Sequence, residues 1–268
     1  MEATFHDFEQ AGWERAAEHY GDAFGSLTAQ AVQPLLEAAG VTSGMRVLDV
    51  ASGPGVVAAA AAQLGATPTG LDFSPRMVAL ARQEHPGLTF QEGDAETLPF
   101  GDATFDAVVI NFGVLHLARP DRALAEARRV LVADGRCAFT VWANPQISVG
   151  FGIVLRAIER FGRMDVPLPE GPPFFRFSDA AESARSMRAA GFADPRVEEL
   201  PLVWQLPSAG ALYDAFANGA VRTAALLRAQ TPDALVDIHT AIVEEASQYR
   251  RGDVIELPMP AVLTSGRS

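Results

Sequence analysis

The chain has 268 residues, enough to bury a full core either as one large domain or as a domain with a substantial cap. Asp and Glu number 33 against 21 Lys and Arg, with no lysine at all, so the formal net charge is −12. Such a charge repels nucleic-acid phosphates over long range, and no Lys/Arg cluster offers a local basic groove. We therefore expect no nucleic-acid partner.

The cysteine content and the N-terminus indicate a cytoplasmic protein. Cys137 is the single cysteine, which excludes an internal disulfide framework, and its apolar surroundings favour a buried thiol over a nucleophile. The N-terminal MEATFHDFEQ lacks the basic and then apolar pattern of a secretion signal, and no long uninterrupted apolar segment is present. We expect no membrane insertion.

Residues 1–45 precede the first strand and are predicted to form an N-terminal helical lid. Apolar residues from Phe8 to Tyr20 recur at helical spacing, and a second amphipathic run from Leu27 to Ala39 ends at Gly40. Two interpretations are open: the aromatic residues cover a sheet edge, or Trp13 and Tyr20 close over a bound ligand.

The stretch RVLDVASGPGVVAAA, residues 46–60, predicts a strand, a tight turn of small residues and a helix. Gly53 and Gly55 allow backbone angles closed to other residues and let a ligand approach the main chain, and Pro54 suits a first helical turn. The helix N-terminus then favours an anionic or polar ligand group. Small residues at this turn also serve simply to pack a helix against a sheet.

A second strand over 67–71 ends at Asp72, and Ser74 with Pro75 predicts the start of the next helix. Open parallel sheets bind their ligands at the carboxyl ends of the strands. An acid about 20 residues beyond a glycine turn is placed to accept both hydrogen bonds of a ribose diol. The alternative is that Asp72 only shapes its turn.

The third, fourth and fifth strands are predicted at 88–91, 106–111 and 136–142, with a helix from Pro120 before the last of them. Asp94 follows the third strand, where a carboxylate can accept a hydrogen bond from an exocyclic amine such as that of adenine. The alternation of strand and helix over 46–142 predicts a parallel sheet covered on both faces.

Five motifs in this order, VLDVASGPG, GLDFS, GDAETLPF, FDAVVINFGVLHL and RRVLVADGR, resemble those of class I S-adenosylmethionine-dependent methyltransferases. The likeness spans about residues 12–142 and is greatest to the small-molecule group that includes the ubiquinone and menaquinone biosynthesis methyltransferases. It implies a Rossmann-like α/β fold with a seven-stranded, mostly parallel sheet whose last strand is antiparallel. It also implies S-adenosylmethionine as the cofactor and S-adenosylhomocysteine as its product.

The resemblance assigns cofactor contacts by position. Asp49 with Ala51, Ser52, Gly53 and Gly55 would lie against the methionine part, Asp72 would hold the ribose, Phe73 and Met77 would flank the adenine, Asp94 and Ala95 would meet its edge, and Asn111 would lie beside the methionine end. Two departures from the family pattern stand out. Ala51 replaces the commonest glycine, which narrows the turn slightly, and Ala133 with Asp134 replaces proline and glycine before Gly135.

Two other functions stay open at this point. A nicotinamide-dependent oxidoreductase fits because Gly53, Gly55 and Ala58 also satisfy G-x-G-x-x-G/A with Asp72 as the ribose acid. Three features argue against an oxidoreductase: Asp49 inside the first strand, the GDA motif at 93–95 and the long helical segment before the first strand. A non-catalytic cofactor-binding homologue also fits. Methyl transfer can proceed without a catalytic side chain, so the sequence of a non-catalytic homologue need not lack any residue.

The rest of the chain predicts the acceptor site. The core over 46–206 carries an insertion at about 144–178, with an apolar helix over 151–161 and a proline-rich loop, then a helix capped by Ser178 and a sixth strand over 196–204. Residues 207–252 predict a helical cap of two or three helices, the last starting at Thr231 and Pro232. Residues 253–268 predict the closing strand, with its prolines at an edge or a bulge.

Four aromatic residues of this part either pack in the core or line an apolar pocket for a small, hydrophobic methyl acceptor: Phe174, Phe175, Tyr213 and Phe216. His116, after the fourth strand, is the candidate general base, or else supports the cofactor pocket. Methyl transfer would go to an O, N or C nucleophile, mostly by positioning and exclusion of water. No grouping with metal-ligand spacing is present, so we predict no metal. The acceptor and the oligomeric state stay open.

Overall fold

A computed structural model describes residues 4–268, so the first three residues of the predicted lid lie outside it. In this part of the chain the strands are β1 (Arg46–Val50), β2 (Thr67–Asp72), β3 (Thr89–Glu92), β4 (Phe105–Asn111), β5 (Leu131–Trp142), β6 (Ala193–Leu200), β7 (Val203–Leu206), β8 (Arg250–Arg251), β9 (Val254–Pro258) and β10 (Ala261–Arg267).

The α-helices of the described residues are α1 (Phe5–Tyr20), α2 (Ser26–Thr28), α3 (Val32–Ala38), α4 (Val56–Gln63), α5 (Pro75–Glu84), α6 (Pro120–Val130), α7 (Val149–Phe161), α8 (Ala180–Ala189), α9 (Gly210–Gly219), α10 (Arg222–Arg228) and α11 (Pro232–Ser247). A π-helical turn over Gly21–Gly25 joins α1 to α2. Short 3-10 turns lie at Ala29–Ala31, Val114–His116 and Arg176–Ser178.

The chain divides into two compact units. The sheet unit comprises Thr28–Trp142, Gly171–Leu200 and Ala261–Ser268, and the helical unit comprises the described residues up to Leu27 with Ala143–Glu170 and Pro201–Pro260. This division differs from the predicted boundaries. Residues 28–45 of the predicted lid belong to the sheet unit because α3 packs on α4, β4 and β5.

The sheet unit has a seven-stranded sheet in the order β3–β2–β1–β4–β5–β10–β6. Neighbouring strands are parallel, except that β10 runs antiparallel to both β5 and β6. Apolar strand residues such as Leu48, Val108 and Ile110 are fully buried, as expected for a sheet covered on both faces. The predicted Rossmann-like seven-stranded fold with one antiparallel strand is confirmed.

Local signals set the helix ends of this unit. The Ser74 side chain accepts from the Met77 amide and Pro75 follows as the first helical residue, as predicted for α5. The predicted cap at Ser178 is wrong: Asp179 caps α8 by accepting from the Glu182 amide, while the Ser178 hydroxyl donates to the Phe175 carbonyl. An aspartate one residue later competes successfully for the same helix start.

The helical unit combines α1, α7, α9, α10 and α11 with a three-stranded antiparallel sheet in the order β7–β9–β8. Its core contains a group of aromatic rings in which Phe24 stacks on Trp204 and both contact Phe216. Residues 207–252, predicted to hold two or three helices, contain α9, α10 and α11, and Thr231 caps the last one as expected.

Two predicted strands are each divided between the two sheets. The sixth strand, predicted over 196–204, is β6 in the large sheet and β7 in the small one, with Pro201 between them. The closing strand, predicted over 253–266, is β9 in the small sheet and β10 in the large one, separated by Met259 and Pro260. Proline donates no main-chain hydrogen bond, so a ladder breaks readily there. β10 lies inside the large sheet and not at its edge.

Candidate functional site

The turn after β1 has the left-handed backbone that small residues favour. Ala51, Gly53 and Gly55 have φ angles of 54°, 51° and 87°. A β-carbon on Gly55 would lie 2.5 Å from Cζ of Phe90, whereas one on Gly53 would meet nothing within 4 Å. Gly55 is therefore required by packing, and Gly53 faces open space that a ligand can use. Alanine at position 51 lowers the free energy of unfolding by about 1 kcal/mol relative to the glycine that the family prefers, because the backbone there is left-handed.

The Asp72 carboxylate is held at the carboxyl end of β2. Its Oδ2 accepts from the Gly53 amide at 2.8 Å and its Oδ1 accepts from the Ser74 amide at 2.9 Å. The side chain is 5% exposed. A carboxylate oxygen has more than one lone pair, so a main-chain hydrogen bond to each oxygen is compatible with a role as acceptor for a diol. The predicted ribose acid is thus held in one orientation by the Gly53 and Ser74 amides.

Asp49, the acid inside β1, is buried and incompletely hydrogen-bonded. Its side chain is 1% exposed, its Oδ2 accepts from the Ala58 amide at 3.0 Å, and its Oδ1 has no partner in the described structure. Burial raises the pKa of Asp49 to about 8, the Ala58 amide opposes that shift, and the charge of Asp72 adds to it.

The predicted adenine contacts lie on two neighbouring segments. Met77 is buried in the first turn of α5, and Phe73 is half-buried just before that helix. Oδ1 of Asp94 accepts from the Glu96 amide at 2.8 Å, which orders the turn after β3, and Ala95 is buried within it. The structure therefore places these residues on the segments that follow β2 and β3, adjacent strands of one sheet.

Asn111 ends β4 and is fixed by two side-chain contacts. Its Oδ1 accepts from the Thr140 hydroxyl at 2.6 Å, and its Nδ2 donates to the Thr28 carbonyl at 3.2 Å. The next residue, Phe112, has a φ of 52° and stacks on Trp142 with ring centroids 4.0 Å apart. The chain therefore turns sharply out of the sheet at the position where Asn111 is predicted to meet the cofactor.

His116 lies in the short turn that follows, half-buried. Its ring meets that of Phe174 edge-on with centroids 5.8 Å apart, and Phe174 meets Phe175 in the same way at 5.0 Å. The structure therefore brings together the candidate base and two of the four predicted pocket residues. The helical unit contains the other two pocket residues, Tyr213 and Phe216, and the predicted lid residue Tyr20. The roles of these three residues stay predictions.

Within the helical unit these three residues have different surroundings. Tyr20 meets Trp13 edge-on at 5.6 Å, and Tyr213 meets His239 edge-on at 5.0 Å. Phe216 is fully buried among Phe24, Phe151 and Trp204, which agrees with core packing.

Sequence reasoning missed Glu96, which orders the loop after Asp94. Glu96 is 1% exposed and accepts from both the main chain and the guanidinium of Arg119, each at 2.7 Å. Its carbonyl accepts from Arg122 at 2.6 Å. The contacts join segments more than 20 residues apart, so no local pattern marked Glu96; an acid directly after GDA was the only available signal.

The single thiol is buried, as expected. Burial raises the pKa of Cys137 to about 12, so the group stays protonated near neutral pH and is no nucleophile there.

The chain is similar in sequence to known methyltransferases. The profile of a family described as "Methyltransferase domain" matches residues 48–139. A demethylmenaquinone methyltransferase of Renibacterium salmoninarum is 39% identical over 111 residues, 41% of this chain and 47% of that protein. One of Streptomyces avermitilis is 34% identical over 158 residues, 55% of this chain and 68% of that protein. The chain spans about half the length of most of these curated relatives.

Solved structures share the fold at low identity. Phosphoethanolamine N-methyltransferase 2 of Haemonchus contortus, in complex with phosphomonomethylethanolamine and S-adenosylhomocysteine, has a TM-score of 0.61 at 18% identity, covering 99% of this chain and 60% of that one. The [4+2]-cyclase SpnF has a TM-score of 0.59 at 19% identity, covering 98% and 97%.

The sheet order, the glycine turn with its two acids and the matches above define one class of protein. The chain belongs to the class I S-adenosylmethionine-dependent methyltransferases. Within that class it is similar to the ubiquinone and menaquinone biosynthesis group, as the sequence predicted. None of the helices found in residues 4–268 has both the length and the apolar character needed to cross a bilayer.

Proposed function

We propose that the chain transfers a methyl group from S-adenosylmethionine to an O, N or C nucleophile of a small, hydrophobic metabolite. The observation that carries the proposal is the pairing of the Ala51–Gly55 turn with Asp72 through the Gly53 amide. That pairing joins the two sequence motifs at the carboxyl ends of β1 and β2, where sheets of this kind bind ligands.

The residues fit the cofactor in three respects. Gly53 leaves open space at the turn, Asp72 presents a carboxylate fixed by two main-chain donors at the end of β2, and Asp49 has a buried carboxylate oxygen with no partner among the described residues. We assign the turn and Asp49 to the amino-acid part of the cofactor and Asp72 to its ribose. Four residues are assigned to its base: Phe73, Met77, Asp94 and Ala95. When bound, the cofactor supplies an activated sulfonium methyl group.

The chain's own contribution is positioning and exclusion of water, since the methyl donor needs no further activation. Asn111 is fixed at the end of β4 by Thr140 and Thr28, which holds the main chain at the methionine end. His116 is the proposed base at its imidazole nitrogen for an acceptor that is not already ionised.

The acceptor class is supported by two features. The relatives are named for demethylmenaquinone, a hydrophobic ring compound, and Phe174 and Phe175 continue from His116 as a row of ring contacts. We infer that the enzyme is cytoplasmic, because a single cysteine fits a reducing compartment, and that it has no nucleic-acid partner, because its formal charge is −12.

The first experiment is calorimetric titration of the purified chain with S-adenosylhomocysteine and, in parallel, with NADH. Micromolar binding of the first and no binding of NADH is expected. The chain is then incubated with S-adenosylmethionine and a reduced demethylated naphthoquinone, and the product is examined by mass spectrometry for one added methyl group. NADH binding without S-adenosylhomocysteine binding would overturn the proposal in favour of a dinucleotide enzyme.

A second candidate is cofactor binding without methyl transfer. The observation that favours it is the fold likeness to a protein titled a [4+2]-cyclase. The two candidates separate in one assay: a panel of hydrophobic hydroxyl, amine and activated-carbon acceptors with radiolabelled S-adenosylmethionine. Binding of the cofactor with no label transferred to any acceptor favours the second candidate.

A further inference from the structure

Asp49 and Asp72 lie on neighbouring strands, but the structure satisfies their carboxylates differently. Both oxygens of Asp72 accept main-chain hydrogen bonds. Asp49 accepts one, from the Ala58 amide, while its Oδ1 is buried with no partner in the described residues. A buried carboxylate oxygen that lacks a donor is unfavourable when charged and tolerable when the group is protonated.

In the described part of the chain, the elements that pack on β1 bring no positive side chain close to Asp49. The helix packed on β1, α4, has the sequence VVAAAAAQ and carries no titratable group. On β2 the charged residue is Asp72, whose negative charge disfavours a second one nearby. On β1 and β4 the charged residues are Arg46 and Asp106, which pair with each other at the opposite end of β1, about 10 Å along the strand.

We propose that the ligand-free protein holds a proton on Asp49 near neutral pH and releases it when a cationic ligand group, such as the ammonium group of the cofactor's amino-acid part, enters the site. This inference rests on the proposed function. The O–H bond of the carboxyl group breaks, the proton passes to the buffer, and the ligand cation then balances the carboxylate. Asp49 is thereby the proton-linked residue of cofactor binding.

The linkage has a measurable size. If only the ionised form of Asp49 accepts the ligand, affinity rises about tenfold from pH 6 to pH 7 and less steeply towards pH 8, where half of the ligand-free protein is already ionised. At pH 7 binding releases close to one proton per ligand.

The test is calorimetric titration with S-adenosylhomocysteine at pH 7 in phosphate and in Tris, buffers whose protonation enthalpies differ widely. The difference between the two observed enthalpies gives the number of protons released. The variant Asp49→Asn keeps the size of the side chain without an ionisable proton. The matched control is Asp106→Asn. Asp106 lies on β4, the strand beside β1, and pairs with Arg46 at the end of β1 away from Asp49.

We expect the natural protein and Asp106→Asn to release about one proton per ligand bound. We expect Asp49→Asn to release almost none. Equal enthalpies in both buffers for the natural protein, with binding intact, would overturn the inference and leave the proposed function standing. Release that persists in Asp49→Asn would assign the proton to another group and also overturn it. Absence of any binding to the natural protein would overturn the proposed function and the inference together.

Discussion

The Gly53 amide donates a 2.8 Å hydrogen bond to the Asp72 carboxylate and so joins the turn after β1 to the end of β2. The two residues are 19 positions apart in the chain. Because the Ser74 amide holds the other oxygen, the carboxylate cannot rotate away from the site. A charge-assisted pair of this kind fixes both the acid and the turn before any ligand arrives.

The first prediction concerns Asp72→Ala. The change removes the proposed diol acceptor and leaves the Gly53 and Ser74 amides without their partner, so we expect S-adenosylhomocysteine affinity to fall at least about 100-fold. Titration calorimetry measures the loss. Asp102→Ala, at an exposed aspartate that pairs with Arg129, is the control and is expected to bind normally. Tight binding by Asp72→Ala would contradict the ribose role.

The second prediction separates the two glycines of the turn. Gly55→Ala brings a β-carbon within 2.5 Å of the Phe90 ring at a φ of 87°, so we expect unfolding free energy to fall by about 2–3 kcal/mol. In Gly53→Ala the added β-carbon meets no atom within 4 Å. The unfolding free energy should therefore fall by only about 1 kcal/mol, the cost of a left-handed backbone at alanine.

The same pair of variants also tests which glycine faces the ligand. Gly53→Ala is expected to lose cofactor affinity more than it loses stability, whereas Gly55→Ala is expected to lose stability first. Urea unfolding and calorimetry on both variants measure the two effects. Unchanged affinity in a folded Gly53→Ala variant would show that the open space at Gly53 is not used.

The third prediction is a pH dependence of stability set by Asp49. Burial raises its folded pKa from 3.8 to about 8, so between these values the folded protein holds a proton that the unfolded chain has released. Unfolding free energy of the ligand-free protein should therefore fall as pH rises, by about 1.4 kcal/mol per pH unit, and level off above pH 8.

Asp49→Asn carries no such proton and should remove this slope. Urea unfolding of the ligand-free protein and the variant at pH 6, 7 and 8 measures it. Equal slopes for the two proteins would mean that Asp49 is ionised throughout this range.

The fourth prediction tests His116 once an acceptor is found. His116→Ala removes the proposed base, so turnover should fall by about 100-fold or more with little change in S-adenosylhomocysteine affinity. Phe174→Leu, which alters the neighbouring ring and keeps an apolar side chain, is expected to raise the KM for the acceptor instead. Undiminished turnover in His116→Ala would refute the assignment as base and leave only a supporting role.

The sequence by itself determined the family, the seven-stranded, mostly parallel sheet expected of it and the local helix signals. The glycine turn, the Ser74 and Pro75 helix start and the Thr231 cap were readable because each depends on residues within one or two turns. The sequence placed Asp72 and Asn111 at the ends of their strands, Asp49 inside the first strand and Asp94 after the third, and the bounds of β1 to β4 agree with that placement.

Only the tertiary structure decided how the carboxylates are satisfied. Asp72 accepts from two amides, whereas Asp49 accepts from one and keeps a buried oxygen without a partner in the described residues. Glu96 binds Arg119. These arrangements depend on how segments that are separate in the chain pack together. The division of two predicted strands between two sheets is of the same kind, because each half pairs with strands far away in the chain. Hydrogen bonding and desolvation of buried groups are set by packing, and packing is not a local property of sequence.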